Sequence, residues 1–344
     1  MQQYLKLLDD TLKNGRTKQD RTGTGTISVF GTQTHYSLLG NKLPMVTTKK
    51  LFSKGVIHEL LWMLRGETNI ESLTEENVNI WNEWADANGN LGPVYGEMWR
   101  RFPNHAKVGM GVKHSTVDQI KALEEQLEKN PNSRRMLISG WHPGLLPNTS
   151  KSPSENASAG LQALPPCHTL FQFICEPMTL TERFAWIDSN KPFIGKVAIT
   201  VEGNEDEIDG RTVAEDDELA EVVHRNLTML KVPEYFLSCQ LYQRSADLFL
   251  GVPFNIMSYS LLTHMLAEAH NMVALNFVHT IGDAHIYLNH VEQVKKQLGR
   301  TPKALPTVRF NEEKDYASVL DFEFEDIEII GYKSHPAIKG EVAV

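Results

Sequence analysis

Cysteine is scarce in this chain: three in 344 residues (Cys167, Cys175, Cys239), with no CxxC pair. That excludes a disulfide framework and a cysteine-paired metal centre, so no metal is expected. It points to a reducing compartment, the cytoplasm. No apolar run approaches the roughly 20 residues that cross a bilayer. The start, Met1-Gln2-Gln3-Tyr4-Leu5-Lys6, lacks the basic-then-apolar pattern of a secretory leader. Positive charge is in deficit, 34 Lys and Arg against 43 Asp and Glu, a net charge of −9. A dedicated nucleic-acid surface is therefore not expected, and any anionic ligand must be met by a local arginine cluster. Phosphate-loop fingerprints are also missing. Asp20-Arg21-Thr22-Gly23-Thr24-Gly25-Thr26 has small, mobile residues and an arginine, but its glycine spacing is neither Walker A nor dinucleotide-binding. Taken alone it reads better as a turn before a strand over 27–36.

Hydrophobic residues at 41% and charged residues at 22% are enough for a sizeable core in one large domain or two medium ones. Tyr4, Leu5, Leu8 and Leu12 repeat at helical spacing. So do Val56, Ile57, Leu60, Leu61 and Leu64 within 51–65, behind Lys49 and Lys50. Glu59 lies among these apolar neighbours, either as a solvated helix charge or as a buried carboxyl with a raised pKa. Residues 78–101 gather Ile80, Trp81, Trp84, Tyr95 and Trp99, a density that suits a core or a flat ligand. An amphipathic helix over 117–129 leads to Ser133-Arg134-Arg135 and a strand over 136–139, and the loop 142–160, rich in Pro, Gly, Ser and Asn, is expected to be mobile.

Ala163-Leu164-Pro165-Pro166-Cys167-His168 opens the next strand. Two prolines fix φ and make a stiff elbow that aims the following side chain. A thiol there, with a histidine beside it, is a candidate nucleophile or a small buried hydrophobe. Residues 176–235 differ in character. A strand is expected over 193–201, and 202–221 carries ten acids against Arg211 alone, the pattern of a solvated face or disordered loop. A strand over 237–243, a long helix from about 250, a strand over 277–287 and a helix over 289–298 follow. His285 and Tyr287 share one strand face. Strands and helices do not alternate as regular βαβ units, so the class is α+β.

Long motifs in this order resemble thymidylate synthase: the 20–26 segment, Leu60-Leu61-Trp62, Ile80-Trp81-Asn82-Glu83-Trp84-Ala85-Asp86, Leu91-Gly92-Pro93-Val94-Tyr95-Gly96, and Asn132-Ser133-Arg134-Arg135. The match continues with the Pro-Pro-Cys-His elbow, Cys239-Gln240-Leu241-Tyr242-Gln243-Arg244-Ser245, Gly251-Val252-Pro253-Phe254-Asn255, Gly282-Asp283-Ala284-His285-Ile286-Tyr287 and 338–344. The resemblance implies a mixed β-sheet covered by helices, with sheets packed face to face in a homodimer. It also implies one catalytic domain over 1–344, interrupted by an acidic insertion at about 176–235.

It further implies reductive methylation of dUMP with 5,10-methylenetetrahydrofolate as cosubstrate; a deoxyuridylate hydroxymethylase of the same fold is the alternative. By the same resemblance Cys167 is the thiolate that adds to the uracil ring, Asn255 reads the base edge, and Glu59 and Tyr95 manage protons. Arg21, Arg244 and Ser245, with Arg134 and Arg135 from a partner subunit, would hold the phosphate. His285 and Tyr287 would bind the ribose. Ile80, Trp81, Trp84, Asp247, Gly251 and Phe254 would contact the folate, Lys49 would attract its glutamyl tail, and Val344 would close over both ligands.

Overall fold

The computed structural model describes residues 1–20, 23–108, 111–190 and 217–342. The chain opens with α1 (Gln2–Asn14), whose buried Tyr4, Leu5, Leu7 and Leu8 form the expected apolar stripe. β1 (Arg16–Lys18) and β2 (Thr26–Ser37) follow, then α2 (Ser53–Leu64), α3 (Glu71–Glu75) and α4 (Tyr95–Arg100). β3 (Phe102–Val108) and β4 (Gly111–Val117) make a separate hairpin. α5 (Gln119–Lys129), capped by the Asp118 side chain, precedes β5 (Leu137–Ser139). After α6 (Pro153–Ser158) come β6 (His168–Pro177), α7 (Leu180–Asn190) and α8 (Asp217–Met229). β7 (Tyr235–Asp247), α9 (Gly251–Ala269), β8 (Val273–Tyr287) and α10 (Val291–Leu298) complete the main body. A small pair, β9 (Thr307–Phe310) and β10 (Ile327–Ile330), closes the described elements.

Six strands form one mixed sheet in the order β1-β2-β8-β7-β6-β5. Its pairs are antiparallel except β7 with β8, which run parallel because the long helix α9 carries the chain back between them. One face is apolar and dry. Phe171, Phe173, Leu237, Cys239, Leu241, Phe277 and Ile281 point into it, and α9 covers it with Ile256, Tyr259, Leu262, Met265 and Leu266. α9 is buried almost all round, which matches its nearly uninterrupted apolar sequence. The other face has no layer over it among the described residues. Leu137 and Ile174 are 43% and 48% exposed there, beside a polar ladder in which Gln33 and Gln240 both donate to the Thr280 hydroxyl.

Two stretches depart from the sequence reading. The 142–160 loop is tied down by its own hydrogen bonds. Ser152 and Glu155 close a capping box at the start of α6, and the buried Asn156 amide bonds the backbone of Asn148 and Ser152. Gln162 then ties the loop to the Leu145 and Pro93 carbonyls. The polar residues that suggested a disordered loop are the ones that satisfy its backbone. The second stretch is 176–235. Helices α7 and α8 pair over their own small core of Leu180, Phe184, Ile187, Val223, Leu227 and Val232, separate from the main one. The fully buried Arg183 bonds the carbonyls of His224 and Val232 and the Thr228 hydroxyl. The strand expected over 193–201 lies outside the described residues.

Candidate active site

β6 and β7 are antiparallel neighbours, so the start of one lies beside the end of the other. This brings Cys167 and Arg244 together across a gap of 77 residues. Arg244 clamps the elbow. Its Nε donates to the Pro166 carbonyl at 3.0 Å, its Nη2 to Pro165 at 2.9 Å, and its backbone N–H to the Cys167 carbonyl at 3.0 Å. Prolines donate no N–H, but their carbonyls remain strong acceptors, and here the guanidinium takes both. Nη2 also lies 3.8 Å from Cys167 Sγ, and the guanidinium faces the Trp141 ring at 5.8 Å. Gly282 makes the arrangement possible, since a Cβ there would meet the Arg244 carbonyl at 2.7 Å. Burial pushes the Cys167 thiol up, and the Arg244 charge pulls the other way. The other two cysteines are buried in the sheet with thiols pushed higher still, Cys175 to about 12.

The Cys167 amide donates to the Tyr95 hydroxyl at 2.9 Å, so the nucleophile candidate is held on both sides of its peptide. Tyr95 opens α4 and is buried, and burial raises its phenol well above the ordinary range. Its ring stacks on His168 at 4.9 Å and meets Trp81 edge-on at 6.1 Å. Trp81 N–H in turn donates to Glu59 Oε1 at 2.8 Å. Glu59 is half-buried among apolar neighbours and not a solvated charge. Burial raises its pKa to about 7, partly opposed by the Trp81 bond.

A polar chain runs behind the thiol. His279 Nε2 pairs with Gln243 Oε1 at 2.8 Å, Gln243 Nε2 donates to Asn255 Oδ1 at 3.1 Å, Asn255 Nδ2 meets His168 Nε2 at 2.8 Å, and His168 Nδ1 meets the Tyr259 hydroxyl at 3.1 Å. Burial pushes His168 down to about 4 and His279 to about 3, so both imidazoles are neutral. Written in this direction, only a lone pair on buried His279 Nδ1 goes without a partner; the reverse would strand an N–H, the rarer and costlier case. The chain thereby orients the Asn255 amide with its NH₂ toward His168. Gln243, Tyr259 and His279 were not singled out from sequence. They lie 12, 4 and 24 residues from Asn255, and only the parallel β7–β8 register and the turn of α9 bring them together.

At the far ends of β7 and β8, Asp247 lies opposite His285 in register. Asp247 Oδ1 accepts from the Phe249 and Leu250 amides as the chain turns into α9. His285 is 3.4 Å from the Asp283 carboxylate. Burial depresses its imidazole, but the Asp283 bond and the Asp247 charge outweigh it and leave the pKa raised. Tyr287 meets His285 edge-on at 5.1 Å, as their shared strand face requires. Ser245 is half-buried on β7 opposite Asp283. Gly251 begins α9, and a Cβ there would meet only Asn255 Oδ1, at 3.8 Å. Phe254, Ile80 and Trp84 are half-buried, and Trp84 packs edge-on against Trp81 at 5.7 Å. Trp81 itself is only 9% exposed.

One expectation meets a different geometry. Lys49 is turned inward: its ammonium bonds the Phe249 carbonyl and lies 3.6 Å from that residue's ring centre. Burial lowers its pKa to about 8 despite the Asp247 charge, and its ammonium is engaged by Phe249; Lys50 beside it is exposed. Arg134 and Arg135 precede β5 and are exposed, and neither guanidinium has a partner among the described residues. Arg21 and Val344 lie outside the described residues. A family model described as Thymidylate synthase matches residues 2–187 and 223–344, leaving out only 188–222 between its two segments.

Proposed function

Because the chain belongs to the thymidylate synthase family, we propose that it methylates dUMP to dTMP and converts 5,10-methylenetetrahydrofolate to dihydrofolate. The observation that carries this reading is the Cys167 thiol, clamped between Arg244 and Tyr95 at the mouth of an oriented amide chain. Carbon 5 of uracil is a poor nucleophile. Addition of the Cys167 thiolate at carbon 6 makes it reactive. The folate, when bound, supplies the one-carbon unit and the hydride. Arg244 favours the thiolate against burial. The Asn255 amide, oriented by Gln243 and His168, presents a donor to the carbon 4 oxygen, where charge develops. Glu59, with a pKa of about 7, both holds and releases a proton near neutrality, the property needed to remove the carbon 5 hydrogen.

The phosphate falls to Arg21, Arg244 and Ser245, with Arg134 and Arg135 of a second copy reaching across a homodimer interface. The exposed, unpaired state of the last two, and the uncovered sheet face bearing Leu137 and Ile174, support that arrangement. His285 and Tyr287 take the ribose hydroxyl. The flat pterin falls to Trp84, Ile80, Phe254 and Gly251, with Asp247 as its acceptor; the half-buried state of Trp84, Ile80 and Phe254, and the packing of Trp84 on Trp81, support this. Val344 completes the closure. We place the enzyme in the cytoplasm, as one catalytic domain interrupted by a surface insertion.

The deciding experiment incubates the protein with dUMP and methylenetetrahydrofolate and identifies both products. Dihydrofolate with dTMP is expected. Tetrahydrofolate with a 5-hydroxymethyl nucleotide would assign the hydroxymethylase chemistry instead, and no product would remove the enzymatic reading.

A further inference from the structure

The hairpin β3–β4 stands apart from the main sheet, and its described side chains are almost all exposed. His105 lies directly opposite His114 in its register. Their Nδ1 atoms are 2.9 Å apart, with ring centroids 4.7 Å apart and planes at 74°. On the opposite face of the ribbon the Asn104 amide donates to the Ser115 hydroxyl, which holds the same two-residue step in register. The contact between imidazoles needs one Nδ1–H facing one Nδ1 lone pair. If that proton moves to the outer Nε2 of its ring, two lone pairs face one another, and a small rotation of the exposed rings turns both toward one ion.

The spacing identifies what fits there. Two nitrogens each about 2.05 Å from a metal are about 2.9 Å apart when they subtend a right angle, and about 3.3 Å apart at a tetrahedral angle. The observed 2.9 Å, set by the hydrogen bond between the rings, already equals the right-angle bite, so a metal can replace the proton without moving the strands apart. Right-angle nitrogen sites are those of tetragonal Cu²⁺ and Ni²⁺, and copper binds most tightly of the first-row divalent ions. We propose that His105 and His114 form a two-imidazole chelate for Cu²⁺. The metal replaces the shared Nδ1 proton, which passes to Nε2, so no redox change is involved. Pro103, Val112 and Thr116 share the ribbon face by strand alternation and bring no carboxylate or imidazole. Among the described residues nothing else on this face is a ligand, so water would fill the remaining positions and the site would be open and exchangeable, unlike a closed structural centre. Bound metal would also pin the two strands together.

The test titrates the untagged full-length protein with Cu²⁺ near neutral pH and follows electron paramagnetic resonance and visible absorption. We expect one equivalent with a tetragonal spectrum and hyperfine coupling to two imidazole nitrogens. His105→Gln and His114→Gln should each weaken that equivalent by about tenfold or more, because a chelate loses its second, effectively intramolecular, ligand. Zn²⁺ should compete poorly. Both residues are exposed, so circular dichroism of each variant should match the parent. An equivalent that survives in the double variant, or a spectrum with a single coupled nitrogen, overturns the assignment.

Discussion

The indole N–H of Trp81 donates to the Glu59 carboxylate at 2.8 Å, inside a cluster of rings that burial would otherwise keep free of charge. The bond favours the ionised form, and burial favours the neutral one. Trp81→Phe removes the stabilising donor. Its expected effect is a further rise in the Glu59 pKa, which moves the acid limb of kcat/KM to higher pH. Activity that needs the carboxylate climbs as pH passes through that value. The pH profile of dUMP turnover in parent and variant checks this; coincident limbs would detach Glu59 from the rate.

The same carboxyl affects stability with a definite sign. Its folded pKa, about 7, exceeds the 4.5 of an unperturbed glutamate. A raised pKa contributes stability that is complete below the unfolded value and is lost as pH rises through the folded one. Glu59→Gln does not titrate. Relative to the parent it should therefore gain stability from pH 5 to pH 8.5, by no more than about 3 kcal/mol, while losing turnover. Urea unfolding at both ends of that range measures the difference.

Cys167→Ser should lower turnover by about 10³-fold or more, since a hydroxyl is a far weaker nucleophile than a thiolate. The affinity for dUMP should stay within about a factor of ten, because its other proposed contacts are untouched. Equilibrium binding and single-turnover rates separate the two effects. Ordinary turnover by the serine variant would discard the covalent route.

Asn255→Asp replaces the NH₂ that faces His168 with a second oxygen. A carboxylate opposes the carbon 4 oxygen of uracil but accepts from the amino group of cytosine. Leaving the buried oxygen unpaired costs about 1–3 kcal/mol, or about tenfold to a hundredfold in kcat/KM for dUMP. Measurable turnover of dCMP should appear. Assays of both nucleotides with both proteins decide the matter, and an unchanged preference for dUMP would mean that another group reads the base.

If Arg134 serves the partner's site, as proposed, a mixing experiment reveals it. Cys167→Ala and Arg134→Ala proteins should each be poorly active alone. After dissociation and reassociation, one of the two sites in a hetero-dimer combines an intact thiol with an intact partner arginine. Partial recovery is expected. Hetero-dimers that form without recovery would confine Arg134 to its own subunit.

Much of this organisation is legible in the chain. The stripes on α1 and α2, the strand alternation of β6 and β7, and the common face of His285 and Tyr287 follow from local periodicity. What local pattern does not carry is direction. The parallel pairing of β7 with β8 depends on where α9 returns the chain, so the link from His279 through Gln243 to Asn255 has no signature along the sequence. Lys49 shows the same limit. A lysine before a helix reads as a surface charge, but its direction was set by the Phe249 carbonyl, 200 residues away. The 142–160 loop shows a related ambiguity: Ser, Asn and Pro are common to disorder and to capping, and only the bonds of Asn156 distinguish the two.

The small helical pair α7–α8 has a consequence for how the site is assembled. Cys167 leads into β6 and Arg244 lies in β7, and the whole insertion separates these strands along the chain. Chain ends that far apart must find one another before the clamp on the elbow can form, and the entropy of that search rises with the length of the intervening loop. Arg183 fastens α7 to α8 and to Val232, and Met178 N–H bonds the Glu234 carbonyl at 2.9 Å. These bonds act as a clasp at the neck of the loop. Once it closes, β6 and β7 are held at pairing distance, so the length-dependent entropy of the excursion is met at the clasp, and the later step that brings the nucleophile to its arginine involves only a short neck.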